Sequence, residues 1–427
     1  MSAFFGLLQT NRNYRWTWTG QVVSEIGDHF NNIAVFSLAI AATQSGLAVT
    51  GVMLSRAVPA VMAAPVAGVL LDRFDRRRIM IASDLIRAVL ALLFIFTVDR
   101  GHTWLLYVLS GLLMFASPFF TSGRASILPK IASKKELHTA NSLTQTTQWT
   151  TTAVGTFLGG MSVTHFGYKL SFVLNAVSFL FSAWSIWQLR GEFKAERKLD
   201  AGKAVRPWLE YKEGLRYMKS TPLIMGIALI SVGWATGGGA AQVLFTIFGE
   251  VVFKRGPSGI GMIWGAAGLG LVFGGMIGHQ LGKRLDFNGY KKAIVVCYLI
   301  HGSTYVVFSQ MQNFWLALFF IGLSRAAVAV SSVLNYSQLL RHISDSYRGR
   351  VFSTIESMTW STMMVSMLAA GVASLSMDPR TIGAIAGVLS STTAIFWGWA
   401  HFTKRLPEPP LEGVDPDEVN VHGETNV

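Results

Sequence analysis

Two carboxylates lie three residues apart inside an apolar segment near the N-terminus. Glu25 and Asp28 therefore share one face of a helix, and His29 follows directly. A charged side chain inside a membrane helix costs about 2.5–3.5 kcal/mol on insertion scales, so it needs a partner or a water-filled cavity. Because two ionised carboxylates on one face repel each other, the pair favours uptake of a proton. We expect Asp28, together with Glu25, to bind a proton or the cationic part of a ligand; the alternative is a structural hydrogen bond beside Gly27.

Four further charged side chains interrupt apolar segments. Arg56, Arg124 and Arg325 could each neutralise a carboxylate or bind an anion. Arg124 lies near the end of its segment, where its side chain could instead extend to the membrane surface, whereas Arg325 is too deep for that. Glu356 lies about two turns into its predicted helix, where a helix N-terminus stabilises a carboxylate. It could equally be a second proton site or a gate residue.

The composition indicates a membrane protein. Of the 427 residues 14% are charged and 51% are hydrophobic, and the mean hydropathy is +0.42, whereas soluble domains carry about 25% charged residues. The net charge of +13 is spread over short clusters between apolar runs, so we expect no nucleic-acid partner. A single cysteine, Cys297, excludes an internal disulfide. The sequence has no phosphate-binding loop, metal-ligand cluster or nucleophile motif, and we predict neither an enzyme nor a bound cofactor or metal.

Apolar runs long enough to cross a bilayer recur along the chain. At about 20 residues per span, the sequence predicts an all-α membrane protein with twelve transmembrane helices. Basic residues concentrate in alternate connections, which places both termini in the cytoplasm. The first run follows Arg12 and Arg15 and continues to full membrane length, so we expect no cleavable signal peptide. The predicted helices cover residues 17–41, 48–71, 79–98, 103–123, 139–163, 168–189, 222–247, 257–282, 293–310, 314–338, 351–376 and 382–402.

The longest charged interruption, from Arg190 to Lys219, separates six predicted helices from six. Weak internal matches, such as Trp149 aligning with Trp360, agree with two parallel six-helix halves. The C-terminal tail is rich in proline and acidic residues, which is typical of disorder. The predicted domains are an N-terminal six-helix bundle at 1–189, a cytoplasmic linker at 190–221, a C-terminal six-helix bundle at 222–406 and a disordered cytoplasmic tail at 407–427.

The connection after the second predicted helix carries the clearest motif. It reads G-V-L-L-D-R-F-D-R-R-R from Gly68 to Arg78, and it resembles the signature loop G-x-x-x-D-R-x-G-R-R of the major facilitator superfamily, with Asp75 in the place of the second glycine. The segments around Asp28 and from Asp84 to Arg87 resemble the branch of this superfamily that contains macrolide-efflux proteins and enterobactin-type siderophore exporters. The antiporter motif G-P-x-x-G-G is matched by G-T-F-L-G-G from Gly155 to Gly160, with threonine in the place of proline.

The resemblance implies a fold and two functional groups of residues. The fold would be the major facilitator fold, in which two six-helix halves give alternating access to a cavity. One group would form a charge network that holds the cytoplasmic gate closed: Asp72, Arg73, Arg76, Asp84 and Arg87. Charge that fixes the membrane orientation is the alternative explanation for these arginines. The other group would line the cavity: Trp149, Trp234, Trp360 and Met363.

The intramembrane charges and the resemblance together predict a secondary active transporter. We expect a monomer in the bacterial cytoplasmic (inner) membrane that exports bulky amphipathic molecules, macrolide- or siderophore-like, in exchange for protons. Its partners would be the small-molecule substrate, the proton and the lipid bilayer. Three alternatives stay open. The chain could move lysophospholipids, with Arg325 binding the phosphate; it could export divalent metals, with Asp28 and His29 as ligands; or it could be a scaffold that transports nothing, although a scaffold has no need for buried charges.

Overall fold

The computed structural model describes residues 2–43, 45–99, 102–194 and 207–411. These residues form helices and short connections and contain no β-strand, in agreement with the predicted all-α fold. The parts of the predicted linker and tail at 195–206 and 412–427 lie outside the described residues. The helices in chain order are α1 (Ser2–Thr10), α2 (Arg12–Thr43), α3 (Gly46–Arg73), α4 (Arg76–Leu93, continued by a 3-10 turn at Phe94–Thr97), α5 (Trp104–Ile131), α6 (Lys134–Trp187), α7 (Pro207–Ser220), α8 (Pro222–Ile247, continued by a π-helix at Phe248–Val252), α9 (Gly256–Gly282), α10 (Phe287–Gln310), α11 (Phe314–His342), α12 (Asp345–Ala373) and α13 (Pro379–Phe402).

Nine helices in the described part of the chain are long and apolar enough to cross a membrane. The longest, α6, contains two predicted helices and is divided at Gly167, whose φ of 78° and ψ of 176° are not helical. Glycine adopts such a conformation because it has no Cβ. The helices α2 and α12 have the necessary length but carry polar side chains, such as Asp28 and Glu356, within the span. The protein is an integral, multi-pass membrane protein, and the count of twelve transmembrane helices stays a prediction.

Large apolar side chains lie on the outer surfaces of these helices. Phe96, Phe166, Phe319 and Phe396 are all exposed. Soluble monomers rarely expose apolar surface so extensively, because it is unfavourable in water. The hydrocarbon tails of a bilayer solvate the same surface without that penalty. The surface therefore agrees with a membrane-embedded bundle.

The chain forms two compact units, and the first comprises residues 1–199 and 245–269. In this unit α2 packs along α6, α3 packs along α5, and α4 packs against α5 and α6. A Cβ at Gly27 of α2 would overlap the side chain of Ser178 on α6. Small residues at such crossings let membrane helices approach closely. Glu25 of α2 is in direct contact with α6, where Thr151 Oγ1 lies 2.7 Å from its carboxylate.

The second unit comprises residues 200–244 and 270–427. Here α10 packs against α11 and α13, and α7 packs against α12. A Cβ at Gly214 of α7 would lie 2.7 Å from the carbonyl oxygen of Arg350 on α12, so the glycine allows the close approach. Glu213 Oε2 also lies 3.2 Å from Arg350 Nη1. Packing of α10 on α11 positions the buried polar side chains of this unit.

The turn between α3 and α4 explains how the chain dispenses with the second glycine of the signature loop. Asp75 has a φ of −64° and caps the N-terminus of α4. Its carboxylate accepts hydrogen bonds from the backbone N–H groups of Arg77 (2.9 Å) and Arg78 (3.2 Å). A negative φ is open to any residue, and aspartate is among the best N-cap residues. The cap also lets α4 begin at Arg76, earlier than the predicted start at residue 79.

Glu356 lies deeper in its helix than the sequence analysis places it. The helix α12 begins at Asp345, whereas the predicted helix begins at residue 351. Glu356 is therefore about three turns from the helix N-terminus, and the favourable effect of that end falls off within the first turn. The helix N-terminus does not stabilise Glu356, and its role as a second proton site or gate residue stays a prediction.

Candidate functional site

Glu25 is held by side chains from three helices. Within α2, Gln21 Nε2 donates a hydrogen bond of 2.7 Å to Glu25 Oε1. Thr151 Oγ1 of α6 donates a hydrogen bond of 2.7 Å to Glu25 Oε2, and Arg124 Nη1 of α5 lies 3.6 Å from Oε1. Arg124 thus meets a carboxylate inside the bundle. Glu25 is consequently a partnered charge in a fixed position.

Asp28, one helical turn further along α2, has a different environment. Among the described residues, none places a hydrogen-bond donor within bonding distance of its carboxylate. The opposite charges that act on it are those of Arg87 and Arg56, and the like charges are those of Glu25 and Asp84. Asp28 thus has longer-range electrostatic neighbours where Glu25 has direct partners. The structural hydrogen bond considered for Asp28 does not occur within the described part of the chain.

Arg56 of α3 completes this environment. Its Nη2 lies 4.0 Å from Met114 Sδ, and its guanidinium carbon lies 5.7 Å from the centre of the Phe36 ring. Its Nη1 is buried and has no hydrogen-bond partner among the described residues. Asp28 is the carboxylate that acts on Arg56 electrostatically. Buried polar groups normally have partners, so these two side chains retain the capacity to bind water, a proton or a polar group of a ligand.

His29 packs against α6. A Cβ at Gly155 would lie 2.9 Å from His29 Cδ2, and a Cβ at Gly159 would lie 3.1 Å from the His29 carbonyl oxygen. These glycines allow α2 and α6 to approach. Thr156, in the place of the motif's proline, donates a hydrogen bond of 2.6 Å to the carbonyl oxygen of Thr152. The backbone of α6 therefore continues through the motif as a helix.

The predicted charge network divides into two groups, and the first is buried in α4. Asp84 and Arg87 form an ion pair there. The Arg87 guanidinium carbon also lies 4.7 Å from the centre of the Phe120 ring and 4.4 Å from that of Phe179. Contacts of a cation with ring faces are favourable, most of all where water is excluded. This pair is part of the interior of the first unit.

The second group lies where α3 ends and α4 begins. Asp72 and Arg73 are exposed, and Arg76 Nη1 donates a hydrogen bond of 2.8 Å to the Ser126 carbonyl oxygen. Arg76 and Asp84 are separated by about 12 Å along the helix. Ion pairs between described residues do not connect the two groups. The two groups are therefore separate in this structure, with the buried pair two turns deeper, and their role in a cytoplasmic gate stays a prediction.

In the second unit, Arg325 of α11 is buried beside two rings of α10. Ser324 Oγ lies 2.7 Å from His301 Nδ1 and 3.1 Å from the His301 carbonyl oxygen. The ring centres of His301 and Tyr305 are 6.3 Å apart, and the charge of Arg325 acts on both side chains. Sequence reasoning singled out Arg325 but missed the two rings. Their spacing of four residues on an apolar helix is the signal that points to them.

The four predicted cavity-lining residues occupy different environments. Trp234 is half-buried, and its Nε1 has no hydrogen-bond partner among the described residues. Trp149 is also half-buried, Trp360 is exposed and Met363 is buried. A Cβ at Gly239 of α8 would overlap the carbonyl oxygen of Met363, so α8 and α12 are in close contact there. Their role in lining a cavity stays a prediction.

A further intramembrane carboxylate, Glu250, was missed by sequence reasoning. Glu250 lies in the π-helix after α8 and accepts a hydrogen bond of 3.3 Å from Ser37 Oγ of α2. The same Ser37 Oγ lies 3.3 Å from the Tyr168 hydroxyl of α6. π-Helical turns are frequent at functional sites. The predicted seventh helix ends at residue 247, so the sequence analysis places Glu250 in the connection that follows this helix.

Known proteins resemble this chain over most of its length. Residues 15–300 match the family model described as Major Facilitator Superfamily. The putative bacilysin exporter BacE of Bacillus subtilis is 24% identical over 383 residues, which cover 85% of this chain and 90% of that protein. The multidrug efflux pump Tap of Mycolicibacterium fortuitum is 29% identical over 197 residues, 44% of this chain and 47% of that protein. The MFS-type transporter YfiS of Bacillus subtilis is 28% identical over 206 residues, which cover 48% of this chain and 49% of that protein. The chain therefore matches about half the length of Tap and of YfiS.

Solved structures share the fold. The D-xylose-proton symporter superposes with a TM-score of 0.69 at 12% identity, and the match covers 92% of this chain and 98% of that one. At such low identity the likeness shows the fold alone. It confirms the helical membrane fold that the signature loop predicts.

Proposed function

We propose that this chain, which belongs to the Major Facilitator Superfamily, is a proton-coupled exporter of bulky amphipathic molecules that works by alternating access. Membership makes it a transporter of small molecules rather than an enzyme. Relatives named as an exporter and an efflux pump support outward transport. A bacterial cytoplasmic membrane with both termini inside agrees with the bacterial relatives and with the positions of the basic connections.

The difference between Glu25 and Asp28 carries the proposal. Glu25 has Arg124 beside it and accepts two hydrogen bonds, so its charge is compensated. Asp28 accepts no hydrogen bond from a described residue and meets opposite charge only at longer range. Asp28 accepts no charge-assisted hydrogen bond from a described residue that a bound proton would weaken, whereas the Glu25 carboxylate accepts two. Asp28 is therefore the residue of this pair suited to take up and release the coupled proton.

Competition between the proton and the substrate for Asp28 then couples proton movement to substrate movement. An ionised Asp28 attracts the positive group of a substrate, and a protonated Asp28 does not. A proton that arrives at Asp28 therefore favours release of the substrate, because the two ligands stabilise different charge states of the same carboxylate. The apolar side chains of Phe36 and Met114, which lie against Arg56, suit the bulky part of an amphipathic molecule.

Reconstituted vesicles test this function. The purified full chain is placed in proteoliposomes with erythromycin or ethidium as the transported probe, and a pH gradient is imposed. We expect accumulation of at least one probe, driven by the gradient and abolished by a protonophore, with protein-free vesicles as the control. Movement that is indifferent to the pH gradient for both probes would contradict proton-coupled export.

Arg325 favours a second candidate function, transport of lysophospholipids. Its guanidinium is buried beside Tyr305 and His301, and a phosphate needs such a cation away from the membrane surface. A fluorescent lysophospholipid in the same vesicles distinguishes the two candidates. Export of drug-like molecules predicts no lysophospholipid movement by the wild type or by Arg325→Ala. Movement by the wild type that is lost in Arg325→Ala would replace the exporter proposal with the lipid one.

A further inference from the structure

We infer that α10 and α11 hold a binding subsite for an oxyanion, the carboxylate or phosphate of a transported molecule, formed by Arg325, His301 and Tyr305. The inference rests on the proposed transport function for its purpose, since a transported molecule would supply the anion. It adds a negatively charged group to the substrate class. The acidic face of α2 alone would not select such a group.

The depth of these side chains is the first observation. His301 and Tyr305 are each 2% exposed, and Arg325 is 9% exposed. All three lie in the interior of helices that cross the membrane. The sequences of α10 and α11 contain no aspartate or glutamate. A carboxylate or phosphate that meets Arg325 therefore comes from outside this pair of helices.

Two polar atoms beside Arg325 provide the second observation. His301 Nε2 and the Tyr305 hydroxyl are buried, and neither has a hydrogen-bond partner among the described residues. Native proteins rarely leave buried polar atoms unsatisfied, and each case calls for a ligand, a water or a functional reason. Because the two residues are four apart on α10, they lie on one face of the helix. Their ring centres are 6.3 Å apart, so the two rings are direct neighbours.

The positive charge of Arg325 favours a negatively charged ligand. The guanidinium acts electrostatically on both His301 and Tyr305, so all three belong to one polar cluster. A cationic group would be repelled there, and a neutral group would accept a hydrogen bond from the guanidinium without the attraction of opposite charges. An oxyanion gains both the charge and the donors. The planar guanidinium suits a carboxylate and a phosphate alike.

Ser324 allows His301 to act as the necessary donor. Its hydroxyl lies within hydrogen-bonding distance of two acceptors on one residue, His301 Nδ1 and the His301 carbonyl oxygen. A hydroxyl has one hydrogen to donate. When Ser324 donates to Nδ1, the ring hydrogen resides on Nε2, which can then donate to the oxyanion. When Ser324 donates to the carbonyl oxygen, Nδ1 carries the hydrogen and Nε2 is an acceptor. The serine thus lets the histidine change tautomer as the ligand arrives.

Binding of three probes with one ring system tests the subsite. The probes are 2-naphthoate, 2-naphthyl phosphate and neutral 2-naphthol, titrated calorimetrically into the purified full chain in detergent. We expect at least one anion to bind at least tenfold more tightly than 2-naphthol. A preference for 2-naphthoate identifies a carboxylate substrate, and a preference for 2-naphthyl phosphate identifies a phosphate.

Variants assign the preference to the named residues. Arg325→Gln should abolish the anion preference, and Tyr305→Phe should reduce it severalfold, while 2-naphthol affinity stays unchanged. Tyr290→Phe is the matched control, because it removes another buried hydroxyl of α10 that is bonded to Asn335; it should leave the preference intact. If Arg325→Gln fails to elute as a folded species, Tyr305→Phe and His301→Ala decide the question.

Two results would overturn the inference. One is an equal affinity of wild type for the anions and 2-naphthol, and the other is a preference that Tyr305→Phe and Tyr290→Phe reduce equally. Since no pH gradient enters these titrations, failure of proton-coupled transport in vesicles leaves their outcome unaffected. The oxyanion subsite and proton-coupled transport can therefore be refuted independently of each other.

Discussion

Arg124 on α5 lies 3.6 Å from Glu25 on α2, so the first of the two carboxylates on this face of α2 already has its counter-charge. Gln21 and Thr151 complete its hydrogen bonds. Asp28, one turn away, has no such set of partners among the described side chains. Two carboxylates that look equivalent in the sequence are therefore unequal in the fold. One is positioned by ion pairing, and the other remains free to change its charge.

Replacing Arg124 by Gln should destabilise the protein, because it leaves the Glu25 carboxylate without its cation. The two side chains are 16% and 21% exposed, so the expected loss in the free energy of unfolding is about 1–3 kcal/mol, less than for a fully buried pair. Adding Glu25→Gln should restore most of this loss, since both partners are then neutral. Thermal unfolding in detergent measures both variants. A double variant as unstable as Arg124→Gln would show that the pair does not interact as described.

Asp75 should stabilise the start of α4 as an N-cap. Asp75→Ala removes the acceptor for the N–H groups of Arg77 and Arg78, and we expect a loss of about 1 kcal/mol in the free energy of unfolding. Asp75→Gly places the glycine of the family motif at this position. It should lower the free energy of unfolding by only about a few tenths of a kcal/mol, because glycine is a tolerated cap. Chemical unfolding of the three proteins ranks them. An alanine variant as stable as wild type would mean that the cap contributes nothing.

Asp72 should favour closure on the cytoplasmic side if it acts as a gate residue. It is exposed at the end of α3, so Asp72→Asn removes its charge without disturbing the interior. We expect the variant to shift toward the state open to the cytoplasm, measured as longer distances between spin labels on that side. Asp75→Asn is the matched control, since asparagine still caps α4. Distances that stay the same in Asp72→Asn would remove Asp72 from the gate.

Glu136 should make stability depend on pH at the start of α6. The backbone N–H of Ser133 donates a hydrogen bond of 2.8 Å to its carboxylate, and this bond and the Ser133 hydroxyl lower the pKa of Glu136. Since its pKa in the folded protein lies below that in the unfolded chain, about 4.3, the stabilisation is present above that value and is lost as the pH falls through the folded pKa. Wild type should therefore be more stable than Glu136→Gln near neutral pH, and the difference should shrink in acid. A difference in thermal midpoint that is constant with pH would contradict this.

Much of the fold can be predicted from the sequence because a membrane imposes simple rules. Span length and hydropathy locate most helices, and charge spacing places Glu25 and Asp28 on one face. The break in α6 at Gly167 was expected between two apolar runs. The beginning of α12 was misplaced because the segment from Asp345 to Arg350 is polar and reads as a connection. Local pattern thus defines apolar spans well and polar helix ends poorly.

The partners of the charged residues could not be predicted, because they depend on which helices become neighbours. Nothing in the local sequence of Arg124 indicates that it meets Glu25. His301 and Tyr305 become candidates for a binding site only because α10 packs against α11, which carries Arg325. The separation of Asp84 from Arg76 follows from the helical rise within α4, which the signature loop alone does not reveal.

The most direct measurement of proton coupling compares Asp28→Asn with wild type in proteoliposomes under a pH gradient. The variant should lose gradient-driven accumulation of erythromycin or ethidium, whichever the wild type transports, while exchange of the probe without a gradient remains measurable. Asp378→Asn is the matched control, since it makes the same chemical change at the N-cap of α13 and should keep the gradient response. Full gradient-driven accumulation by Asp28→Asn would contradict the assignment of Asp28 as the coupling residue.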